Sequence, residues 1–312
     1  MNFLDYLTEI PEFLRNCQYT NLLLAAEQET SDAPLIQRLN IHENVAGEFK
    51  QNLIKFIDKS LPDIRFSEYI PGYKPDKNEF CYLNLASEPQ IADLIEVISQ
   101  IEQPEIFSEQ DEVIEKLKFY TIICSNTNQE KSIFFRIYSP KKELTRSGLF
   151  ALMMNKGQYN TINNKIFLFD EDIDCFTWNG FLFIKNVYYF QRIFNYFEQI
   201  RNKATETINL VISQIQIENL EEFKKACTSQ LSMMEKLARI ASKTYLQSIT
   251  MPAIQQTIRE FQLGIEIRDE KLVFDSHPTK RWLILKLLDD DYLGSTMTGE
   301  RYEVNSKRPM AD

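Results

Sequence analysis

Histidine is scarce in this chain, and several familiar catalytic motifs are missing from it. Only His42 and His277 occur in 312 residues, too few for a histidine-rich metal centre, and neither is a convincing general base. The glycine patterns of a P-loop, a dinucleotide-binding turn and a nucleophile elbow are also missing. The sequence therefore predicts no catalytic residue and no cofactor.

Cysteine is also sparse, and long apolar runs do not occur. The five cysteines lie far apart without a C-x-x-C pair, which favours reduced core thiols in the cytoplasm over disulfides or a zinc site. Asp5 and Glu9 interrupt the first apolar stretch, so no signal peptide is indicated. The longest uncharged run, residues 244–258, is too short to span a bilayer and contains Pro252. We therefore expect a cytoplasmic protein that reaches a membrane only through a partner or a surface patch.

The net charge of −10 is distributed unevenly along the chain. Residues 1–135 carry −12 and residues 166–312 carry −3, whereas residues 136–165 carry +5. This basic segment could bind phosphate groups by local release of counterions, or it could pair with the acidic N-terminal part. Charge alone leaves both interpretations open.

The hydrophobic periodicity predicts an α+β fold with two domains. Residues 1–115 alternate short strands with amphipathic helices and are interpreted as an acidic α/β domain that ends in a linker at 103–115. Residues 116–312 form the second domain, which begins with an antiparallel β-meander. Within the meander, Asn179-Gly180 is typical of a type I′ hairpin turn. Helices and β-hairpins, the last around Thr298-Gly299, complete this domain.

A stripe of apolar residues follows the meander at helical spacing. It consists of Phe190, Ile193, Phe194, Phe197, Ile200 and Ala204. The spacing predicts one long helix reaching about Val211. Because the stripe is longer and more aromatic than one side of a small sheet requires, we expect the chain to form a homodimer through it.

Two acidic runs are candidate metal ligands. Asp289-Asp290-Asp291 could bind magnesium in a nuclease, but successive helical residues point about 100° apart. The alternative is the end of a helix, with Asp290 paired to Lys286. Asp170, Asp172 and Asp174 could share one face of an extended segment, and we interpret them as a turn before a strand. We therefore predict no metal site.

The candidate DNA-binding residues are cations that few acids neutralise in the sequence. They are Lys141, Lys142 and Arg146 in the loop after Pro140, together with Lys280, Arg281, Lys307 and Arg308 near the end of the chain. A helix beginning near His277 could add backbone N–H groups to a phosphate contact. Lys286 and Arg301 are left out because Asp290, Glu300 and Glu303 lie close to them in the sequence.

Three long strings carry a family resemblance. They read F-F-R-I-Y-S-P-K-K-E-L-T-R-S from Phe134, F-L-F-D-E-D-I-D-C-F-T-W-N-G-F-L-F-I from Phe167, and R-W-L-I-L-K-L-L-D-D-D-Y-L-G-S-T-M-T-G-E-R-Y-E-V-N-S-K-R from Arg281. In these strings the chain resembles the KwaB family of the Kiwa anti-phage defence system. Long ordered strings are more specific than short motifs.

The resemblance implies a function. It implies a cytoplasmic effector that binds phage DNA, works with the membrane protein KwaA at the inner membrane, and hinders phage DNA replication or expression. We expect the binding to be electrostatic and weakly sequence-specific, since no recognition helix is evident. A metal-dependent nuclease that uses the aspartates and a protein-interaction module without DNA binding remain the alternatives.

Overall fold

A computed structural model describes residues 7–28, 33–60, 64–100, 104–107, 116–128, 130–138, 152–155, 158–161, 169, 171–241 and 243–304. The predicted α+β class is confirmed. The helices are α1 (Ile10–Asn16), α2 (Glu43–Ser60), α3 (Pro89–Gln100), α4 (Val187–Ile193), α5 (Tyr196–Gln214), α6 (Leu220–Ser229), α7 (Leu231–Ala241), α8 (Met251–Phe261) and α9 (Leu283–Leu288).

The strands alternate with these helices along the chain. They are β1 (Tyr19–Ala26), β2 (Leu35–Leu39), β3 (Arg65–Glu68), β4 (Glu79–Asn84), β5 (Leu117–Ser125), β6 (Lys131–Ile137), β7 (Leu152–Asn155), β8 (Gln158–Thr161), β9 (Cys175–Trp178), β10 (Phe181–Ile184), β11 (Ile217–Glu218), β12 (Ile267–Arg268), β13 (Lys271–Val273), β14 (Tyr292–Gly294) and β15 (Arg301–Glu303). Among the described residues, no helix is long and apolar enough to cross a bilayer.

One large sheet organises the first part of the molecule. Its eight strands lie in the order β2-β1-β5-β6-β9-β10-β4-β3. Only β3 and β4 pair in parallel, and the other neighbours are antiparallel. The central strands β5, β6, β9 and β10 keep their chain order across the sheet, and β7 and β8, which lie between β6 and β9 in the chain, form a separate two-stranded sheet. The predicted antiparallel meander is confirmed.

The turn between β9 and β10 follows from its two residues. Asn179 and Gly180 have φ angles of 47° and 80°, and Trp178 pairs with Phe181 across the turn. Positive φ at both central residues defines a type I′ turn, which asparagine and glycine adopt at little cost. The predicted hairpin is therefore confirmed.

The sheet buries aromatic side chains on both faces. On one face, together with α1 and α2, Phe176 stacks on Phe134 and Phe183 with ring centroids 5.6 and 5.3 Å apart. On the other face Phe135 packs against Phe194, 5.1 Å away. Adjacent residues of a strand point to opposite faces, so a run such as Phe134-Phe135 supplies both cores.

The chain forms two compact units. The first comprises Met1–Glu68 and Pro75–Phe194, and the second comprises Tyr69–Lys74 and Asn195–Asp312. The predicted domain boundary at 115/116 lies inside the first unit, where strands from both sides of it share the large sheet. This arrangement arises because β1 pairs with β5 and β4 pairs with β10, contacts between residues far apart in sequence.

Of the predicted linker, residues 103–115, the structure describes residues 104–107. Within it, Ile106 forms a β-bridge with Arg38, and the amide N–H of Phe107 donates to the Arg38 carbonyl oxygen, with the two atoms 2.9 Å apart. Residues 103 and 108–115 lie outside the described residues. The described part of the predicted linker is therefore held against β2.

The single long helix predicted after the meander is wrong. Its α4 segment ends at Ile193, and Asn195 adopts a left-handed conformation with φ of 49° before α5 begins at Tyr196. A left-handed residue interrupts the i to i−4 hydrogen-bond ladder. The stripe residues Phe190, Ile193, Phe194, Ile200 and Ala204 are buried, whereas Phe197 is partly exposed. A homodimer formed through the stripe stays a prediction.

The second unit contains helices and small sheets. Strands β11, β13 and β12 form a three-stranded sheet, and β14 pairs with β15, which confirms the hairpin predicted around Thr298-Gly299. Helix α8 ends at Phe261, and Gln262 at its C-terminus adopts the left-handed conformation. Helix α7, which was not predicted from the sequence, has Met233, Leu237 and Ile240 fully buried.

Candidate anion-binding site

The acidic run 289–291 lies at the end of α9, where two of its carboxylates are buried. Asp289 and Asp291 are 2% and 1% exposed. The Lys236 ammonium on α7 donates hydrogen bonds to both carboxylates, at 2.9 Å for Asp289. Arg239 Nε donates to the same Asp289 oxygen at 2.9 Å. Protein cations therefore occupy the position that a metal ion would need.

The structure supports the helix-end interpretation with one correction. Asp290 has a φ of 59° just after α9 and is exposed, whereas the Asp289 and Asp291 carboxylates both contact Lys236. The expected partner of Lys286 was Asp290, but Lys286 donates to Glu303 on β15. The prediction failed because the hairpin returns β15 to α9, which sequence spacing does not show. Among the described residues, no group of three His, Cys, Asp or Glu side chains is placed to hold a metal ion.

The ion pairs of the buried Asp289 carboxylate should make the stability of the protein depend on pH. Burial would raise the pKa of Asp289, but hydrogen bonds from Arg239 and Lys236 outweigh burial and lower the pKa below the ordinary value of 3.8. A carboxyl group whose pKa is depressed on folding stabilises the protein above its unfolded pKa, and this contribution disappears as pH falls through the folded pKa. As the pH falls below about 4, we expect the Asp289→Asn variant to lose less stability than the wild type.

Urea unfolding at a series of acidic pH values measures this effect. The exposed Asp93 on α3 provides a matched control, and Asp93→Asn should follow the wild-type pH profile. Parallel profiles for wild type and Asp289→Asn below pH 4 would show that the ion pairs do not set the pKa of Asp289.

The other acidic run lies where β9 begins. The Asp174 carboxylate is buried and accepts hydrogen bonds from the Ile137 backbone N–H at 2.8 Å and from Arg136 Nη1 at 2.7 Å. Burial raises the pKa of Asp174 in spite of these hydrogen bonds. Asp172 forms ion pairs with Lys185 and Arg136, whereas Asp170 lies outside the described residues. The pair Asp172 and Asp174 thus ties β6, β9 and the end of β10 together.

Five of the seven predicted DNA contacts fall in segments outside the part of the chain that the structure describes. They are Lys141, Lys142, Arg146, Lys307 and Arg308.

Lys280 and Arg281 lie in the loop before α9. Lys280 Nζ is 3.1 Å from the Asp275 carboxylate, a partner that the sequence analysis did not anticipate. The Nε atom of Arg281 is buried and has no hydrogen-bond partner among the described residues. Helix α9 begins at Leu283 and not near His277, so the expected helix N-terminus is not at His277. That Lys280 and Arg281 contact DNA stays a prediction.

A different set of cations surrounds a cavity in the first unit. Its volume is about 360 Å³, and four lysines line it: Lys55, Lys59, Lys77 and Lys185. We call this cavity the lysine cleft. Lys55 and Lys59 lie one turn apart on α2, Lys77 lies in the connection between β3 and β4, and Lys185 follows β10. The fold thus brings three separate segments to one opening.

The charges of the lysine cleft are only partly balanced. Lys185 forms an ion pair with Asp172 and lies 5.0 Å from the ring centroid of Phe56. Lys55, Lys59 and Lys77 are exposed, and within the described part of the chain none of them forms an ion pair. Glu171 and Asp172 are the acids of the lining. Four lysines against two carboxylates favour an anionic ligand.

Sequence reasoning missed the lysine cleft for a physical reason. Lys55, Lys59 and Lys77 belong to the segment with a net charge of −12, and Lys185 lies more than one hundred residues later. The one local signal was the i, i+4 spacing of Lys55 and Lys59 on either side of the buried Phe56.

A family model described as Kiwa protein KwaB-like matches residues 114–298, more than half of the chain. The chain belongs to this family. The resemblance inferred from the sequence is therefore confirmed, and family membership assigns the chain to Kiwa anti-phage defence. The matched segment contains Lys185 and the buried Asp174, Asp289 and Asp291, whereas the other three lysines of the cleft precede it. No curated protein and no solved structure was found to match the chain.

Proposed function

We propose that this Kiwa family protein binds phage DNA through the phosphate backbone and, with the membrane protein KwaA, hinders phage DNA replication or expression. The observation that carries the proposal is the lysine cleft, whose Lys55, Lys59 and Lys77 are exposed and form no ion pair among the described residues. Grouped ammonium ions attract phosphates and release counterions from DNA, even on a protein whose net charge is negative.

This chemistry favours binding that depends little on base sequence. A lysine ammonium is a point charge without the planar fork with which arginine reads guanine. Contacts to phosphates set the position of DNA but carry no direct sequence information. The acidic remainder of the surface would repel the backbone and restrict DNA to cationic patches. Lys141, Lys142, Arg146, Lys280, Arg281, Lys307 and Arg308 remain predicted contacts.

The test is retention of DNA by the purified full-length chain, with and without magnesium. We expect retention at low salt, with the DNA recovered intact in both conditions. Magnesium-dependent loss of full-length DNA would favour the nuclease alternative. Failure of the folded chain to retain DNA at low salt would favour the protein-interaction module.

The partnership with KwaA supplies a separate test. The chain has no membrane-spanning helix among its described residues, so KwaA would provide the attachment to the inner membrane. We expect the protein in the membrane fraction of cells that contain KwaA and in the soluble fraction of cells that lack it. The same distribution in both cells would contradict the partnership.

Self-association remains part of the proposal. A two-fold dimer is the simplest closed assembly, and it would double the number of phosphate contacts available to one DNA molecule. Light scattering at micromolar concentration should give the mass of a dimer, and a monomer would contradict this expectation.

A further inference from the structure

We infer that the lysine cleft accepts a single unpaired nucleotide, either free or at the unpaired end of a DNA strand. This inference rests on the proposed function, because it assigns a ligand class to the same lysines. Both ligands would bind in the same way, with the phosphate among the lysine ammonium groups and the nucleoside against the uncharged residues of the lining.

The lysines of the cleft would hold the phosphate group of the nucleotide. Lys55, Lys59 and Lys77 come from two elements and converge on one opening, where they form no ion pair among the described residues. A phosphate group offers several acceptor oxygens, and hydrogen bonds between ionised partners are about twice as strong as neutral ones. The convergence suits one compact anion better than the regular spacing of phosphates along a duplex.

The other residues that line the cleft would contact the nucleoside. Phe56 and Phe80 are buried and give the cleft an apolar floor, and Asn52, Asn78 and Ser60 add neutral polar groups. Amide side chains can both donate and accept hydrogen bonds, as the edge of a base requires. The volume of about 360 Å³ falls in the range of small-ligand cavities, roughly 300–1,000 Å³.

A base-paired nucleotide is excluded by size. A duplex cannot enter a cavity of this volume, and a base must leave its stack before a protein can enclose it. The ligand is therefore a nucleotide that is already unpaired.

The two acids of the lining have different consequences. Asp172 is held by Lys185 and Arg136, so its charge is balanced within the protein. Glu171 is exposed, lines the cleft and forms no ion pair among the described residues, so it would repel a phosphate. Removal of its charge should therefore tighten binding, an effect opposite to removal of a lysine.

The experiment uses isothermal titration of the full-length protein with a deoxynucleoside monophosphate, the matching nucleoside and inorganic phosphate. We expect the monophosphate to bind more tightly than either fragment. Lys59→Gln and Lys77→Gln should each weaken it about tenfold, the effect of losing one charged hydrogen bond. Glu171→Gln should tighten it about two- to fivefold. The exposed Lys225 and Lys271 serve as controls, and their glutamine variants should match wild type.

Single-stranded oligonucleotides with and without a terminal phosphate distinguish the two sources. If only the phosphorylated strand displaces the monophosphate, the ligand of the cleft is the end of a strand. If neither strand displaces it, the ligand is a free nucleotide. Equal affinity for inorganic phosphate and the monophosphate would overturn the inference. So would absence of monophosphate binding by a folded protein that still retains DNA, whereas monophosphate binding without DNA retention would overturn only the proposed function.

Discussion

Replacement of Lys236 by methionine is expected to lower the free energy of unfolding by about 3–5 kcal/mol. The Lys236 side chain is 9% exposed and its ammonium contacts both Asp289 and Asp291. Methionine preserves much of the volume but removes the charge, so two buried carboxylates lose a shared cation. Removal of one partner of a buried ion pair leaves an uncompensated charge, which costs far more than loss of an exposed pair.

Urea unfolding of Lys236→Met measures this loss, with two controls. Lys224→Met removes a partly exposed lysine that pairs with Glu221, and we expect a change within about 0.5 kcal/mol. Addition of Asp291→Asn to Lys236→Met should recover part of the lost stability, because it removes one of the stranded charges. A Lys236→Met variant as stable as Lys224→Met would rule out a structural role for the ion cluster.

Replacement of Phe176 by alanine is expected to cost about 3–5 kcal/mol. Its ring is fully buried in β9 and stacks between Phe134 and Phe183. Phe56 on α2 also meets it edge-on, with ring centroids 6.4 Å apart. Alanine would leave a cavity between the sheet and α2, and the surrounding side chains can collapse only partly because strand pairing fixes their positions.

Calorimetry and urea unfolding of Phe176→Ala measure the predicted loss. Val97→Ala on α3 is the matched control because Val97 is 55% exposed, and we expect it to change stability by less than about 0.5 kcal/mol. Similar stabilities for the two variants would mean that the aromatic stack does not hold the sheet against α2.

Local signals predicted much of the fold. The Asn179-Gly180 turn and the alternating aromatic strands identified the central meander because turn geometry and strand periodicity depend on neighbouring residues. The stripe from Phe190 to Ala204 consists mostly of buried residues, as its spacing predicted, but the spacing also suggested a single helix. Nothing in the spacing indicated that Asn195 would adopt a left-handed conformation.

Long-range pairing could not be predicted from the same signals. The sheet joins β1 to β5 and β4 to β10, and no local pattern specifies which distant strands will meet. The lysine cleft depends on that pairing, since it brings Lys185 to the cavity that Lys55 on α2 also lines. The buried partners of Asp289 and Asp291 were missed for the same reason, because Lys236 lies about fifty residues earlier.

Salt-dependent DNA binding tests the central claim, that the lysine cleft holds DNA phosphates. The comparison is between wild type, a variant with Lys55→Glu, Lys59→Glu and Lys77→Glu, and a control with the same charge change at three exposed cations, Lys225→Glu, Arg259→Glu and Lys271→Glu. If the cleft lysines together hold one DNA phosphate, the slope of log Kobs against log salt concentration should fall in magnitude by about one unit in the cleft variant. The control should keep the wild-type slope. A folded cleft variant with the wild-type affinity and slope would contradict the account.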